Sequence, residues 1–291
     1  MLDNIHRNIH CNMSHQTINK AGLYLGALLL GLVFANPVFA ELILSAPPRE
    51  SVEEGKKLYE PLAKNLSDLL GEPVVYRHPI DWRNYQKQLQ NDEFDIVFDG
   101  PHFAAWRMSS LQAKPLVRLP GNLRFVLVTR SDENNITAPK HLVGKPVCTL
   151  PSPNLGALTL YSMFPNPIIQ PEFQPITGGA RQVADKVLNG ECRGAILRSS
   201  FYYKKLPVEE RNRMKVIRES APIINQGITV SSRIGKTQQS KMLKALTTRN
   251  GAEAMQPILE RFAHKAKSFI PARDEEYVGK NLLHDNMIYG W

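Results

Sequence analysis

Motifs of catalysis and metal binding are absent from this chain of 291 residues. No G-x-S-x-G, H-E-x-x-H, Walker-type or dinucleotide-binding glycine pattern occurs, so the common hydrolase, metalloprotease and nucleotide-binding signatures are missing. The eight histidines are scattered, and the five that follow residue 40 pair with no Cys or His at metal-ligand spacing. The sequence therefore predicts a protein without metal, cofactor or catalysis. An exported enzyme using His102 with Asp81 or Asp99 as an acid–base pair is a disfavoured alternative.

Long hydrophobic runs are also missing, except for one near the start. Residues 21–40 read AGLYLGALLLGLVFANPVFA and follow Lys20, which is the pattern of a secretory signal peptide cut after Ala40. An N-terminal membrane anchor is the alternative. Pro37 inside the run and the lack of a basic cluster after it favour cleavage. We therefore expect residues 1–40 to be a signal peptide and the mature protein to be exported.

Concentrated charge of one sign is lacking as well. The chain has 36 Lys and Arg against 27 Asp and Glu, a formal net charge of +9, but the basic residues are dispersed. Nucleic-acid binding has neither a motif nor a suitable compartment, so no nucleic acid is expected as a partner. A dispersed basic surface is still able to draw an anionic solute inward.

Cysteine is scarce, and only Cys148 and Cys192 follow the predicted cut. An even count in an exported protein suggests a disulfide. However, if KPVCTL and CRGAILR are neighbouring parallel strands, Cys148 lies well along its strand while Cys192 lies at the start of the other. That stagger places their Cα atoms beyond the limit of roughly 7 Å. The pattern thus disfavours the bond, with two buried thiols as the alternative.

Alternating strand and helix patterns fill the rest of the chain. This βαβαβ rhythm with short connections predicts parallel sheets with helices on both faces. It runs once to a strongly apolar strand at residues 123–130, begins again at KPVCTL, and returns through the strand-like run PIINQGITVSSR. The prediction is an α/β fold of two lobes, each a mostly parallel sheet flanked by helices. Lobe 1 comprises residues 41–128 and 231–291, and lobe 2 comprises residues 129–230 including the return crossing strand. Two crossing strands join the lobes and leave a cleft.

The first predicted helix carries two local signals. Ser51-Val-Glu-Glu54 predicts a capping box at its start, because Ser51 and Glu54 can each satisfy a free backbone N–H group. Pro61 lies inside the helical pattern and predicts a kink or a short first turn.

Residues 43–131 resemble a known family. Pro48-Arg49-Glu50-Ser51, YEPLAKNLSDLLG, DWRNY and above all FDIVFDGPHFAAW resemble the first lobe of periplasmic solute-binding proteins of phosphate/phosphite/phosphonate ABC transporters. GKPVCTLPSPNLG, ARQVADKVLNGE and SAPIINQGITVSS extend the resemblance more weakly over most of the mature chain. It implies a type II periplasmic binding fold, hinged closure over one small ligand, an inner-membrane permease as partner, and a monomer.

Two departures from the family pattern bear on the ligand. Phosphonate binders of this family open the first helix of the second lobe with a Ser-Thr-Ser-Gly type segment, where this chain has Pro153-Asn154-Leu155-Gly156. Members that bind aminophosphonates start the next helix with a His and an acidic residue, where this chain has Ala180 and Arg181. An arginine repels a ligand amine and offers a bidentate fork to a carboxylate or phosphate. We therefore expect an anionic solute other than a standard aminophosphonate.

FDIVFDGPHFAAW also predicts a site from its own residues. An apolar strand ends at Phe98, Gly100 permits a tight turn, and Pro101 suits the first helical position. The unpaired amides that follow Pro101, with the positive end of the helix dipole, form an anion seat that His102 and Phe103 would line. A purely structural strand-to-helix turn is the alternative for the segment alone.

Four further residues are candidate ligand-binding groups. Trp82 stands where relatives carry a ligand-facing tyrosine, although a helix-start aromatic packed on the sheet explains it nearly as well. Arg49 and Arg198 follow predicted strand ends, and a solvated loop arginine is the usual alternative. Arg181 opposes the helix dipole at a helix start, which makes it the strongest candidate in lobe 2. With Gly100, Pro101, His102 and Asn154, these residues form the predicted binding set.

The function favoured by these observations is periplasmic capture of a small anionic solute, either phosphonate- or phosphate-like or a carboxylate, for an ABC importer. A sensory partner that presents the same clamshell to a membrane receptor or kinase is the alternative, and the sequence does not separate the two.

Overall fold

The computed structural model describes residues 41–263 and 266–280. The predicted signal peptide, residues 1–40, lies outside the described residues. No helix within the described ranges is long and apolar enough to cross a membrane.

Thirteen strands are present in the described part of the chain. In chain order they are β1 Leu42–Ser45, β2 Val74–Tyr76, β3 Ile96–Asp99, β4 Lys114–Arg118, β5 Asn122–Leu123, β6 Phe125–Arg130, β7 Pro146–Thr149, β8 Glu172–Pro175, β9 Gly194–Arg198, β10 Met214–Glu219, β11 Ile223–Ile224, β12 Gly227–Val230 and β13 Ile270–Pro271.

Nine α-helices connect or cover these strands within the same ranges. They are α1 Val52–Leu70, α2 Trp82–Gln90, α3 Pro101–Leu111, α4 Leu155–Ser162, α5 Ala180–Leu188, α6 Ser199–Lys204, α7 Val208–Asn212, α8 Lys236–Leu246 and α9 Arg249–Ala263.

The strands form two main sheets, one for each lobe. The first has the order β13-β4-β12-β3-β1-β2 and the second the order β10-β6-β9-β7-β8. In the first sheet β12 is inserted antiparallel between β3 and β4, and in the second β6 is inserted antiparallel between β9 and β10. Most strands of each lobe therefore run in one direction, as predicted, and the strand that arrives from the other lobe runs against them.

The lobe boundaries differ from the predicted ones. β6, which the boundary at residues 128 and 129 would divide, lies wholly in the second sheet. β12, assigned to lobe 2, pairs with β3 and β4 in the first sheet. The chain instead changes lobes where β5 and β11 form a two-stranded antiparallel ribbon. Because strands buried in either sheet are equally apolar, composition cannot tell which sheet receives them.

Helices cover both faces of the first sheet. On one face α1, α8 and α9 enclose the largest apolar cluster, which includes Leu62, Leu66 and Phe98. On the other face α2 and α3 bury Tyr85 and Phe103, and Leu158 from lobe 2 joins that cluster. The two lobes therefore pack directly against each other beside the cleft.

Helix α1 is one continuous element through Pro61, so the expected short first turn is wrong, and the alternative of a kink stays a prediction. Of the two hydrogen bonds of the predicted capping box, the structure shows one at the start of the helix: the Ser51 hydroxyl accepts from the Glu54 N–H at 3.3 Å. The left-handed Gly71 ends it, with its N–H donating to the Ser67 carbonyl. Pro61 removes one N–H donor, and packing of the buried face against α9 and β2 holds the helix together across it.

Cys148 and Cys192 form a disulfide with Cα atoms 5.8 Å apart, so the expected separation beyond about 7 Å, and with it the disfavoured bond, is wrong. The strands do pair as predicted, with Cys148 opposite Ala195. However, Cys192 precedes β9 and lies in the turn that follows α5, where its N–H donates to the Lys186 carbonyl. That turn brings the chain back over β7 instead of extending it along the strand. Both cysteines are buried in the lobe 2 core.

Candidate functional site

A cavity of about 450 Å³ lies between the two lobes. Its walls come from the carboxyl ends of strands on both sides, including Asp99 at the end of β3, Thr149 at the end of β7 and Arg198 at the end of β9. Ligands of α/β sheets bind at this end of the strands, where helix N-termini also point. The volume lies within the usual range for small-molecule sites, roughly 300–1,000 Å³.

Six of the eight predicted residues line this cavity: Arg49, Trp82, Gly100, His102, Asn154 and Arg198. They come from segments that are up to 149 positions apart in the sequence, and the two-lobed fold brings them together. That they contact a ligand stays a prediction.

Arg181 does not reach the cavity, so its proposed place in the cleft is wrong. Its guanidinium is exposed and pairs with Asp185 at 2.6 Å and Glu210 at 2.7 Å on the outer side of α5. Ala180 and Val183 of the same helix line the cavity instead. Neighbouring helix positions are about 100° apart, so the residue beside a cleft-facing one points elsewhere. The two acidic partners also explain how an arginine is tolerated at a helix start.

Pro101 lies beside the cleft, not on its wall. It lines a second cavity of about 410 Å³, which also includes His102, Arg218 and Ser220. Its first-turn position in α3 is as predicted.

Three arginines gather around the main cavity: Arg49 from lobe 1, Arg198 from lobe 2 and Arg261 from α9. Burial lowers the pKa of Arg198, and the positive charges of Arg261 and Arg49 lower it further. Arg198 makes no ion pair and no side-chain hydrogen bond with any described residue. Arginine stays protonated in proteins, so this cluster is a concentration of positive charge that a bound anion would compensate.

Arg261 was missed by the sequence analysis. Its guanidinium and that of Arg49 lie over the Phe262 ring, at 5.2 and 5.3 Å from the ring centroid. Glu50, whose side chain is 3 % exposed, lies 3.6 Å from Arg261. An arginine in a helical tail has no local signal that separates it from a solvated one, because its place beside Arg49 depends on the packing of α9 against lobe 1.

The N-terminus of α3 lies at the cavity, as the predicted anion seat requires, but an acidic side chain lies beside it. Gly100 caps the helix and Gly100, His102 and Phe103 line the cavity. Asp99, however, already occupies this end: its Oδ1 accepts from the Gly100 N–H at 2.6 Å and its Oδ2 accepts from the Tyr85 hydroxyl. The predicted anion seat therefore contains a carboxyl group of its own.

Asp99 is an unusual acid because it is 1 % exposed. Burial raises the pKa of Asp99 to about 7, while the charge of Arg49 and the hydrogen bond from Tyr85 act in the opposite direction. The group thus changes charge near neutral pH at the edge of the arginine cluster.

His102 joins the two lobes across one side of the cleft. Its Nε2 donates to the carbonyl oxygen of Pro153 at 3.1 Å. Burial lowers the pKa of His102 to about 3, so the ring is neutral at physiological pH, and the tautomer with a proton on Nε2 fits the contact. His102 therefore contributes a dipole and an interlobe contact, not a positive charge.

The lobe 2 wall opposite His102 is formed by the segment Pro153-Asn154-Leu155-Gly156, whose sequence departs from that of the phosphonate binders. Asn154 caps α4, and its Oδ1 accepts from the Gly156 N–H at 2.9 Å. A Cβ at Gly156 would lie 3.1 Å from both Asn154 and Phe125, so glycine allows the close approach of helix and strand. The hydroxyl-rich helix start of phosphonate binders is replaced here by an amide cap.

Aromatic rings complete the cavity. Trp82 is 36 % exposed and stacks on Phe103 at 6.3 Å between centroids, with its other contact edge-on to Tyr85. Phe125 and Phe262 face the cavity from other elements. The walls therefore combine positive charge with apolar surface.

No group of three or more His, Cys, Asp or Glu residues in the described ranges is placed to hold a metal ion.

Comparison with known proteins gives a family match and fold likenesses. The family model for the phosphonate ABC transporter periplasmic substrate-binding protein matches residues 44–277. A search of curated proteins gives no match.

Two solved structures share the fold over most of the chain. XAC2383 from Xanthomonas citri, bound to chloride ion, is 15% identical with a TM-score of 0.68, covering 82% of this chain and 97% of its own. PhnD1 from Prochlorococcus marinus, in complex with methylphosphonate, is 16% identical with a TM-score of 0.60, covering 81% and 94%. These likenesses confirm the predicted type II periplasmic binding fold.

Proposed function

Because the chain belongs to the family of periplasmic substrate-binding proteins of phosphonate ABC transporters, we propose that its cleft captures an oxyanion of the phosphonate or phosphate class. The family works with an ABC permease in the inner membrane, and the comparisons give no support to a sensory partner. Binding as a monomer, without chemistry on the ligand, is part of the proposal.

The arginine cluster carries this proposal. Arg49, Arg198 and Arg261 point into one cavity from three segments of the chain, and Lys205 adds a fourth cation to the lining. Among the described residues of this lining, Asp99 alone carries a carboxyl group. Hydrogen bonds from guanidinium groups to phosphate or phosphonate oxygens are about twice as strong as neutral ones.

The apolar walls favour a phosphonate or an organic phosphate over inorganic phosphate. A compact oxyanion would occupy only part of a cavity of about 450 Å³. Trp82, Phe103, Phe125 and Phe262 offer contact surface to a carbon substituent. PhnD1, with its methylphosphonate, is a relative of similar fold.

A ligand amine is disfavoured for a different reason than the sequence indicated. Arg181 lies outside the cleft and repels nothing there. Asp99 is the acid that an amine would need, but burial raises its pKa to about 7, so part of it is uncharged at neutral pH. The surrounding arginines also repel a cation.

The proposed export of the protein depends on removal of the signal peptide. We propose cleavage after Ala40, because β1 begins at Leu42, two residues beyond the proposed cut. Intact-mass measurement of the periplasmic protein tests this, and a mass that retains residues 1–40 would support the membrane anchor instead.

The function is tested by calorimetry and thermal shift on the purified protein. The panel contains methylphosphonate, 2-aminoethylphosphonate, phosphite, phosphate, sulfate and small carboxylates. At about 100 times its dissociation constant a ligand adds roughly 2.7 kcal/mol of stability. For a chain of this size that raises the melting temperature by about 2–4 °C per kcal/mol.

We expect methylphosphonate to give the largest shift, inorganic phosphate a smaller one, and Arg181→Ala to keep both. A panel in which only carboxylates bind would reject the phosphonate or phosphate class, and a panel without any shift would reject the anion site.

A further inference from the structure

Gln226 lies where the chain returns from lobe 2 to lobe 1. It stands between β11 and β12, next to the two-stranded ribbon that connects the lobes. The residue is 7 % exposed, yet its side chain lines the cleft. The strand-like run PIINQGITVSSR gave no reason to single it out.

The orientation of its amide is fixed by Arg49. Arg49 Nη1 donates to Gln226 Oε1 at 3.1 Å. Arginine has donors only, so the oxygen must face Arg49 and the NH₂ group is turned away from it. Among the described residues no acceptor is bonded to that NH₂ group, which leaves its two donors available on the cleft side.

The backbone at Gln226 is hydrogen-bonded to the segment between β4 and β5, through which the chain passes from lobe 1 to lobe 2. The Leu119 N–H donates to the Gln226 carbonyl at 2.7 Å, and the Asn225 side chain donates to the Pro120 carbonyl at 3.1 Å. A Cβ on the next residue, Gly227, would lie 2.4 Å from the Val117 carbonyl, so only glycine lets the two strands approach this closely. A contact made by the Gln226 side chain therefore reaches both crossing strands.

We propose that Gln226 is a ligand-binding residue whose NH₂ group donates a hydrogen bond to an oxygen of the bound oxyanion, from within the hinge itself. The inference rests on the proposed function and adds a neutral donor beside Arg49. The NH₂ group donates to a phosphonate or phosphate oxygen, and it offers no acceptor to an ammonium group. Because Gln226 is tied to both crossings, ligand contact at this residue stabilises one relative position of the lobes.

The test compares Gln226→Leu and Gln226→Glu with the unchanged protein, using methylphosphonate and inorganic phosphate as probes in calorimetry. Gln226→Leu removes the donor and is expected to weaken the better-bound probe roughly tenfold to a hundredfold, the range for a hydrogen bond to a charged group. Gln226→Glu keeps the shape, places a carboxylate beside Arg49, and is expected to weaken the probe more than Gln226→Leu does.

Gln170→Leu is the matched control. Gln170 is also partly buried and its NH₂ group donates to the Phe164 carbonyl in lobe 2, away from the cleft. It is expected to keep the affinity. Melting temperatures without ligand identify any variant that fails to fold. The probe-induced change in tryptophan fluorescence reports on the three tryptophans of the chain, of which Trp82 lines the cleft.

The outcomes separate the two claims. If the unchanged protein binds neither these probes nor any other phosphonate or phosphate of the panel, the proposed function fails and the role of Gln226 fails with it. If the unchanged protein binds a probe and both folded Gln226 variants bind it within twofold, the role of Gln226 alone is overturned. Tighter binding of either probe by Gln226→Glu would also overturn it, because an oxyanion that accepts a hydrogen bond from the Gln226 NH₂ group should lose affinity when a carboxylate replaces that group.

Discussion

The two walls of the cleft are built differently. On the lobe 1 side polar groups are held by one another: Arg49 by Gln226, and Asp99 by Tyr85 and Gly100. On the lobe 2 side Arg198 has no such partner among the described residues. Lobe 2 is instead fixed internally, by the disulfide between β7 and the turn after α5.

This difference indicates an order of events during binding. A wall whose donors are already oriented loses little conformational entropy when it meets a ligand, so lobe 1 is suited to receive the anion first. Under the proposed function the bound anion would be the first partner of the Arg198 side chain among the groups described, so lobe 2 is suited to close over the occupied site. Three changes would sharpen or break this contrast.

The largest expected effect concerns the stability of lobe 2. Cys148 and Cys192 are 44 positions apart in the sequence, and replacing both by alanine opens the loop that the disulfide closes. In the chain-entropy model the loss of this closure lowers the stability by about 4 kcal/mol. We expect the free energy of unfolding in urea to fall by roughly this amount while affinity for the anion stays nearly unchanged at low temperature. A large loss of affinity in the folded variant would show that lobe 2 depends on the bond for its binding geometry.

The next largest effect is a loss of ligand affinity, compared between two variants that each lack the arginine of one wall. Arg49→Leu removes a prearranged donor and leaves Gln226 without its partner, so we expect affinity to fall by about 2–4 kcal/mol. Arg198→Leu removes a late contact, and we expect a loss of about 1.5–3 kcal/mol. Removing Arg198 also relieves repulsion from Arg49 and Arg261, so the unliganded protein should unfold at the same or a higher temperature.

Calorimetry and thermal melts of both variants measure these quantities, with Arg181→Ala as an exposed arginine control. Equal losses of affinity together with a lower melting temperature for Arg198→Leu would contradict the contrast between the walls.

The smallest effect is a pH dependence that arises on the lobe 1 wall. Asp99 loses its negative charge as the pH falls through about 7, which removes repulsion between its carboxylate and the bound anion. Affinity should therefore rise as the pH falls through 7, by at most tenfold per unit for one linked proton. Since the ligand also titrates, the Asp99 contribution is the difference between the unchanged protein and Asp99→Asn.

The titration of Asp99 also makes the stability of the folded protein depend on pH. The folded pKa of Asp99 is above the ordinary value of 3.8, so the folded state holds a proton that the unfolded state has released. The contribution of Asp99 to stability is therefore complete below about pH 4 and is lost as the pH rises from there to about 7. Thermal melts across this range should show that loss in the unchanged protein, and Asp99→Asn should not share it. Identical pH profiles for the two proteins would refute the assignment.

Much of the architecture was predictable from local pattern. Helix α2 has the bounds that WRNYQKQLQ predicts, and the strand-to-helix turn at Gly100 and Pro101 forms as expected. These elements follow from periodicity, caps and turn residues, which act within a few positions. β13 and the short helices α6 and α7 were not predicted, because two to six residues carry too little periodicity.

The binding set was predictable where a residue lies at or after a strand end or at a helix start. Gly100 and Arg198 have the first position and Asn154 has the second, and the structure places all three in the cleft wall. Arg181 had a plausible position at a helix start but the wrong rotation about the helix axis, and a one-residue difference there turns a side chain by about 100°. Arg261 and Gln226 had no local signal at all.

The sequence by itself determined the signal-like start, the alternation of strands and helices, and the resemblance that led to the family. Each of these depends on residue type and spacing along the chain. The tertiary structure alone decided which strands cross between the lobes, that Cys148 and Cys192 meet, and which arginines share the cavity. Those outcomes depend on how distant segments pack, and packing energy is a property of contacts between segments, not of any segment taken alone.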